Sequence, residues 1–166
     1  MRVLMPLLSK IDNLSKKTGI FISYFIIAIT VLVVFEVIAR YIFNSPTSWS
    51  SILVQFIFGG YFVIGGAYCL LLEGHVKVDF VYSKFSGRGK AIMDIISSIL
   101  FFVFTFTILY FSIIESWEST VSNETTGMAW DVLIWPYKWI LPVATLLLIL
   151  QGLAKLVRDI YIALKG

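Results

Sequence analysis

Apolar residues in this chain run in unbroken blocks instead of alternating with polar ones. Residues 18–35 carry no charge and continue past Glu36 and Arg40 toward Phe43, and further blocks follow at 50–72, 95–114 and 132–154, the last interrupted only by Lys138. A hydrocarbon layer of about 30 Å needs roughly 20 mainly apolar residues per helix. The pattern therefore predicts four spans, at about 18–43, 50–72, 92–114 and 132–154. A membrane β-barrel would alternate apolar and polar over ~10-residue segments, whereas Phe101-Phe102-Val103-Phe104 and residues 146–150 are apolar on every side. The expected fold class is an all-α integral membrane protein, a single domain over 1–166 with four transmembrane helices and short connections.

Two further stretches have helical periodicity of a different kind. On a 100° wheel Leu4, Leu7, Leu8, Ile11 and Leu14 share one side and Ser9, Lys10, Asp12, Asn13, Lys16 and Lys17 the other, with Pro6 suited to a first turn. Residues 1–17 are thus expected to form an amphipathic helix on the membrane interface. A shorter segment, 78–85, places Val78, Val81, Tyr82 and Phe85 opposite Asp79 and Ser83; it reads equally as a second interfacial helix or as a linker. No small-residue cleavage site follows the first apolar run, so that run is expected to be retained as a span.

Composition agrees with this picture and removes other classes. The 166 residues are 59% hydrophobic and 14% charged, against about 45–50% and about 25% in a soluble domain. A net charge of +3 is too small to mark a nucleic-acid surface. The single Cys69 forms no internal disulfide, and the single His75 cannot supply paired haem ligands.

The distribution of charge is more informative than its sum. Arg2, Lys10, Lys16 and Lys17 precede the first span, Lys77, Lys84, Arg88 and Lys90 occupy the middle loop, and Lys155, Arg158 and Lys165 follow the last span. Only Arg40 and Lys138 fall in the other two connections. By the positive-inside rule both termini and the middle loop are expected in the cytoplasm. Glu115, Glu118, Glu124 and Asp131 would then lie on the outer face.

Lipid does not drive helices together as water does, so small and polar residues mark protein-facing sides. Gln55, Gly59, Phe62, Gly66 and Glu73 form one such stripe on the second span, and Ser98, Thr105 and Ser112, seven apart, form another on the third. Packing within the chain accounts for one stripe, and the pair together point to a partner subunit. Glu36 and Arg40, at i and i+4, are spaced for a salt bridge near the outer end of span one. Trp49, Trp117, Trp130, Trp135 and Trp139 lie near outer boundaries, where indoles anchor. Together with Glu118, the first four also suit an exposed docking surface. His75 with two carboxylates and no thiol makes a poor transition-metal site, and Gly74 reads as a helix C-cap. No catalytic constellation, P-loop or dinucleotide fingerprint occurs, so no enzyme activity and no cofactor are expected.

Three motifs resemble a known family. Glu36-x-x-x-Arg40-Tyr41-x-Phe43-Asn44-x-Pro46-x-x-Trp49, then Gly66-Ala67-x-x-x-x-x-Glu73-Gly74-His75-x-Lys77-Val78-Asp79, and then Trp135-Pro136-x-x-x-x-Leu141-Pro142 with Gln151 are similar to the small membrane subunit of tripartite ATP-independent periplasmic (TRAP) transporters. The middle motif is the most specific, and Glu73, Gly74, His75, Lys77 and Asp79 form its loop. The resemblance implies a bacterial inner-membrane protein in a three-part system. A periplasmic binding protein captures an organic acid, of dicarboxylate or sialic acid type, and a large membrane subunit moves it inward with sodium bound to that subunit. The small subunit packs on the large one and widens its fixed scaffold. Partners would be those two proteins and the bilayer, not nucleic acid. The competing reading is a self-sufficient proton-coupled transporter that uses Glu36.

Overall fold

The structure, a computed structural model, describes residues 4–72 and 87–165. Six helices account for nearly all of them: α1 (Leu4–Ser23), α2 (Phe25–Tyr41), α3 (Ser48–Leu71), α4 (Gly87–Ser122), α5 (Trp135–Lys138) and α6 (Ile140–Lys165). Among the described residues there is no strand, only an isolated antiparallel bridge between Thr125 and Leu133. Four stretches are long and apolar enough to cross a membrane: Pro6–Tyr41, Ser48–Leu71, Gly89–Ser122 and Trp135–Leu164. The expected middle-loop helix at 78–85 lies outside the described residues.

Boundaries differ from the sequence expectation in two places. The amphipathic N-terminal helix does not stop at residue 17. It runs to Ser23, is interrupted at Tyr24, and resumes as α2. At the interruption the Ser23 hydroxyl donates to Ile20 O at 2.7 Å, and Tyr24 N bonds back only three residues, to Phe21 O. Such side-chain competition for helix carbonyls loosens the ladder locally. Nor does the third span end at 114: α4 continues for 36 residues to Ser122, about 54 Å at 1.5 Å per residue. Glu115, Trp117 and Glu118 therefore stand on a helix and not in a loop.

The turn between α2 and α3 follows from its residues. Asn44 has φ 48°, a left-handed conformation that asparagine tolerates well, and Ser45 N reaches back to Ala39 O at 2.9 Å. Pro46 then holds the chain out of the helix until α3 begins at Ser48. Between α4 and α5, Thr126 N bonds Val132 O and Ile134 N bonds Glu124 O, closing a small hairpin-like loop whose tip places Gly127 at φ 60°.

The helices form a palisade with α6 at its centre and α1 set against both α3 and α6. α3 packs on α1, α2 and α6, and α4 packs chiefly on α6. α6 separates α3 from α4, so that a cleft of about 300 Å³ opens between them, lined by Gly59, Gly60, Val63, Ser112, Tyr137 and Leu141 among others. α6 is accordingly the most enclosed span, with 39% of its most apolar stretch buried against 6% for α4.

Small side chains let the helices approach. α4 presents Ala91, Thr105, Ser112, Ser116 and Ser119 to its buried side, and on α6 a Cβ added to Gly152 would overlap the Phe101 ring of α4. On α1, Gly19 lies so close to the Tyr68 ring of α3 that a Cβ there would overlap it. Large apolar residues instead cover the outside of every span, which suits hydrocarbon contact, since in lipid each backbone polar group must be satisfied within its own helix.

Candidate functional site

Three polar clusters tie the palisade together, two at the loop end and one at the end carrying the chain termini. At the loop end Glu36 of α2 is the acceptor for a set of converging donors. Arg40 donates to Oε1 at 2.6 and 3.1 Å, while the Ser50 hydroxyl at 2.5 Å, the Thr47 hydroxyl and Thr47 N at 3.3 Å all reach Oε2. The carboxylate thus clamps the end of α2 to the start of α3. The Glu36 side chain is only 13% exposed and that of Arg40 48%, so the pair sits with its cation toward the surface.

A second cluster at the same end centres on Lys138. Its Nζ lies 2.7 Å from Glu115 of α4 and 2.6 Å from Glu124 of the following loop. Lys138 beside Glu124 holds that carboxyl below its ordinary value. The Trp139 indole donates to Thr120 Oγ1 at 3.0 Å, adding a link from the α5–α6 junction to the end of α4. These contacts explain why α4 outlasts its apolar block: its polar last turns are held by partners on the next element.

The terminal-end cluster joins α1, α4 and α6. Buried Gln151 accepts from the Ser15 hydroxyl at 2.8 Å and donates to Asp12 at 3.0 Å, while Arg158 donates to the other Asp12 oxygen at 2.5 Å. Lys155 Nζ bridges Asp94 and Asp159, each at 2.7 Å. Sequence reasoning missed this cluster. The signal was the spacing of Gln151, Lys155 and Arg158, steps of four and three that put all three on one face of α6.

The predicted packing stripes divide differently. Ser98, Thr105 and Ser112 lie along the side of α4 that meets α6; Thr105 is fully buried and Ser112 nearly so. Contacts within the chain cover Thr105 and Ser112, and Ser98 is half-buried. The hydroxyls of this stripe do not bridge helices, because they bond to Ile95 O, Phe101 O and Leu109 O of α4 itself. Their value here is small volume. On α3, Gly59 faces the Tyr137 hydroxyl so closely that a Cβ would overlap it, and the Tyr137 ring stacks on Phe56 with centroids 4.5 Å apart. A Cβ on Gly66 would meet Leu148 at an ordinary 4.0 Å. Gln55 and Phe62 point outward.

The tryptophans also separate. Trp117 is 62% exposed and stands beside exposed Glu118. Trp49 packs on Phe35 with centroids 5.8 Å apart. Trp130 and Trp135 are half-buried, and the Trp135 indole nitrogen is enclosed. The motif loop Glu73, Gly74, His75, Lys77 and Asp79 lies outside the described residues. Among the described residues no group of three or more His, Cys, Asp or Glu side chains comes together as a metal site.

No individual curated protein matches the chain. A family profile described as "Tripartite ATP-independent periplasmic transporters, DctQ component" matches residues 29–161. The match begins within α2 and ends within α6, so it covers α3, α4 and α5 whole and the adjoining parts of the first and last membrane-crossing stretches. The family is a transporter component and not an enzyme family, and membership implies association with a large membrane subunit and a binding protein. With the match extending over most of its length, this multi-pass membrane protein belongs to the DctQ family, a component of the tripartite ATP-independent periplasmic transporters.

Proposed function

We propose that the chain packs on the large membrane subunit of its transporter and widens the part of that subunit that stays fixed while substrate moves. Uptake is of an organic acid of dicarboxylate or sialic acid type, delivered by a periplasmic binding protein and coupled to sodium held by the large subunit, with no cofactor in this chain. The observation that carries the reading is the palisade itself. Four spans gathered around α6, with large apolar side chains on their outer surfaces, add footprint in the bilayer to whatever they pack on. Substrate sites in transporters are built from broken helices with polar groups near the midplane. Here the polar clusters sit at the two ends.

The proton-coupled alternative would place a relay on Glu36. That carboxylate already accepts from Arg40, Thr47 and Ser50, which suits a permanent clamp better than a group that cycles its proton. Both termini are placed in the cytoplasm, on the strength of the basic residues in the N-terminal, middle and C-terminal segments, with localisation to the inner membrane. Trp117 and Glu118 would then face the binding protein.

The test is purification of the tagged chain in mild detergent followed by reconstitution. A large multi-span subunit should be retained, and uptake in liposomes should require both proteins and the binding protein. Uptake by this chain alone, or its recovery as a lone monomer from cells producing all three proteins, would overturn the reading. For orientation, a cysteine at Ser122 should label from outside and one at Ser86 should not.

A further inference from the structure

The outward face of α3 sets a long amide and a glycine among its apolar residues. Gln55, Phe58, Phe62, Gly65, Cys69 and Leu72 follow one another at steps of three, four, three, four and three, so they fall in a single narrow strip. Phe58, Phe62 and Leu72 are 44%, 59% and 62% exposed, Gln55 and Cys69 are exposed, and a Cβ added to Gly65 would meet nothing within 4 Å. The strip lies opposite the side on which Ile52, Gly60, Ala67 and Leu70 are buried. Alternation of three and four is the spacing that keeps one face of a helix against another at a shallow left-handed crossing.

Two features of the strip do not suit lipid. The Gln55 amide makes no hydrogen bond among the described residues, although it lies seven residues inside the helix, about 10 Å from its end. An amide left unpaired in hydrocarbon is costly. Gly65 leaves a notch flanked by Phe62 and Cys69, and notches of this kind let a second helix approach closely. The outward face of α4 is the contrast. Leu100, Val103, Phe104, Phe106, Tyr110 and Phe111 are all exposed and bulky, and the exposed Thr107 hydroxyl is spent on Val103 O at 2.8 Å. Apart from the short Ser97 side chain near its start, the outward face of α4 offers lipid a smooth surface; α3 offers a notch and a long amide with both a donor and an acceptor.

We infer that the strip from Gln55 to Leu72 is the contact with the large membrane subunit, made by one apolar transmembrane helix that carries a hydrogen-bonding group opposite Gln55 and fits against Gly65. The inference rests on the proposed function, because it needs that subunit to be the partner. A second copy of this chain would present another strip with its own Gln55, and lipid would present no amide partner; both are outcomes that the test separates.

Cys69 is the chain's only cysteine and lies in the strip, so it can carry a benzophenone maleimide without further engineering. The labelled protein is irradiated in membranes that also contain the large and binding subunits. A second protein carries Cys69→Ser with Phe104→Cys, which moves the probe to the outward face of α4. Cys69 is expected to give an adduct with the large subunit at least tenfold more abundant than the Phe104→Cys protein gives. An adduct of twice the chain mass, equal adducts from both positions, or lipid adducts alone from Cys69 while the large subunit still copurifies would overturn the inference. If the large subunit does not copurify at all, the proposed function fails first and the strip has lost its partner.

Discussion

α3 and α4 flank the same central helix and use the same device on their inner sides, yet they differ outside. Both meet α6 through small residues, Gly60 and Ala67 on α3 and Thr105 and Ser112 on α4. Outward, α4 is bulky and apolar from Leu100 to Phe111, with the small Ser97 before that stretch, whereas α3 carries Gln55 and the open Gly65. A small or polar residue in a membrane helix therefore has two meanings. Facing a neighbour of its own chain it sets the interhelical distance; left facing out, it points to a partner that the isolated chain does not contain.

The comparison can be broken most forcefully at the α4–α6 seam. Thr105→Leu inserts bulk where exposure is zero and should destabilise the chain by about 1–3 kcal/mol, the usual cost of overpacking. Thermal unfolding in detergent reads it, and Gly65→Leu in the same assay should leave the melting temperature unchanged. Next in size is Gln151→Leu, which leaves Ser15 without its acceptor and Asp12 without one donor. Interhelical polar contacts of this kind average about 0.6 kcal/mol and reach about 1.7 kcal/mol in membranes. Its loss should appear as freer protease access to the α1 end than in the wild type. A smaller effect is expected from Glu36→Gln. It should loosen the 42–47 turn in hydrogen exchange while leaving the pH profile of uptake by the assembled transporter unshifted; a shifted profile would favour the relay.

The smallest effect concerns Glu124. Its carboxyl is held below the ordinary value of 4.5, chiefly by Lys138. Because the folded-state value is depressed, the pair's contribution is fully present above about pH 4.5 and disappears as pH falls through the lowered folded value. The melting difference between wild type and Glu124→Gln should be constant at neutral pH and close on acidification. A difference that grows on acidification would contradict the pairing.

Much of this was legible in the residues. Unbroken apolar blocks give four spans because the bilayer fixes helix length, and the i, i+4 spacing of Glu36 and Arg40 gives a pair that the structure contains. The Thr47 and Ser50 donors to Glu36 were not legible, because they arrive from across a turn whose course depends on Asn44. The end of α4 was not legible, because Glu115 and Glu118 read as part of the acidic outer loop, and only the structure brings Lys138 to Glu115. On α3 the glycines come in adjacent pairs, 59 with 60 and 65 with 66, and composition alone does not say which member of each faces in. The structure sets Gly59 against Tyr137, Gly60 against Ile140 and Gly66 against Leu148, and leaves only the Gly65 position of the four open. The Asp12, Gln151 and Arg158 cluster joins residues more than a hundred positions apart, and only tertiary packing brings these together.

The most direct measurement is retention of the large membrane subunit by two small-to-large variants of this chain, Gly65→Leu on the outward face of α3 and Ser97→Leu on that of α4. The expected result is a loss of at least tenfold in copurified large subunit for Gly65→Leu at unchanged melting temperature, with wild-type recovery for Ser97→Leu. Full retention by Gly65→Leu together with loss by Ser97→Leu would contradict the assignment of the partner to α3.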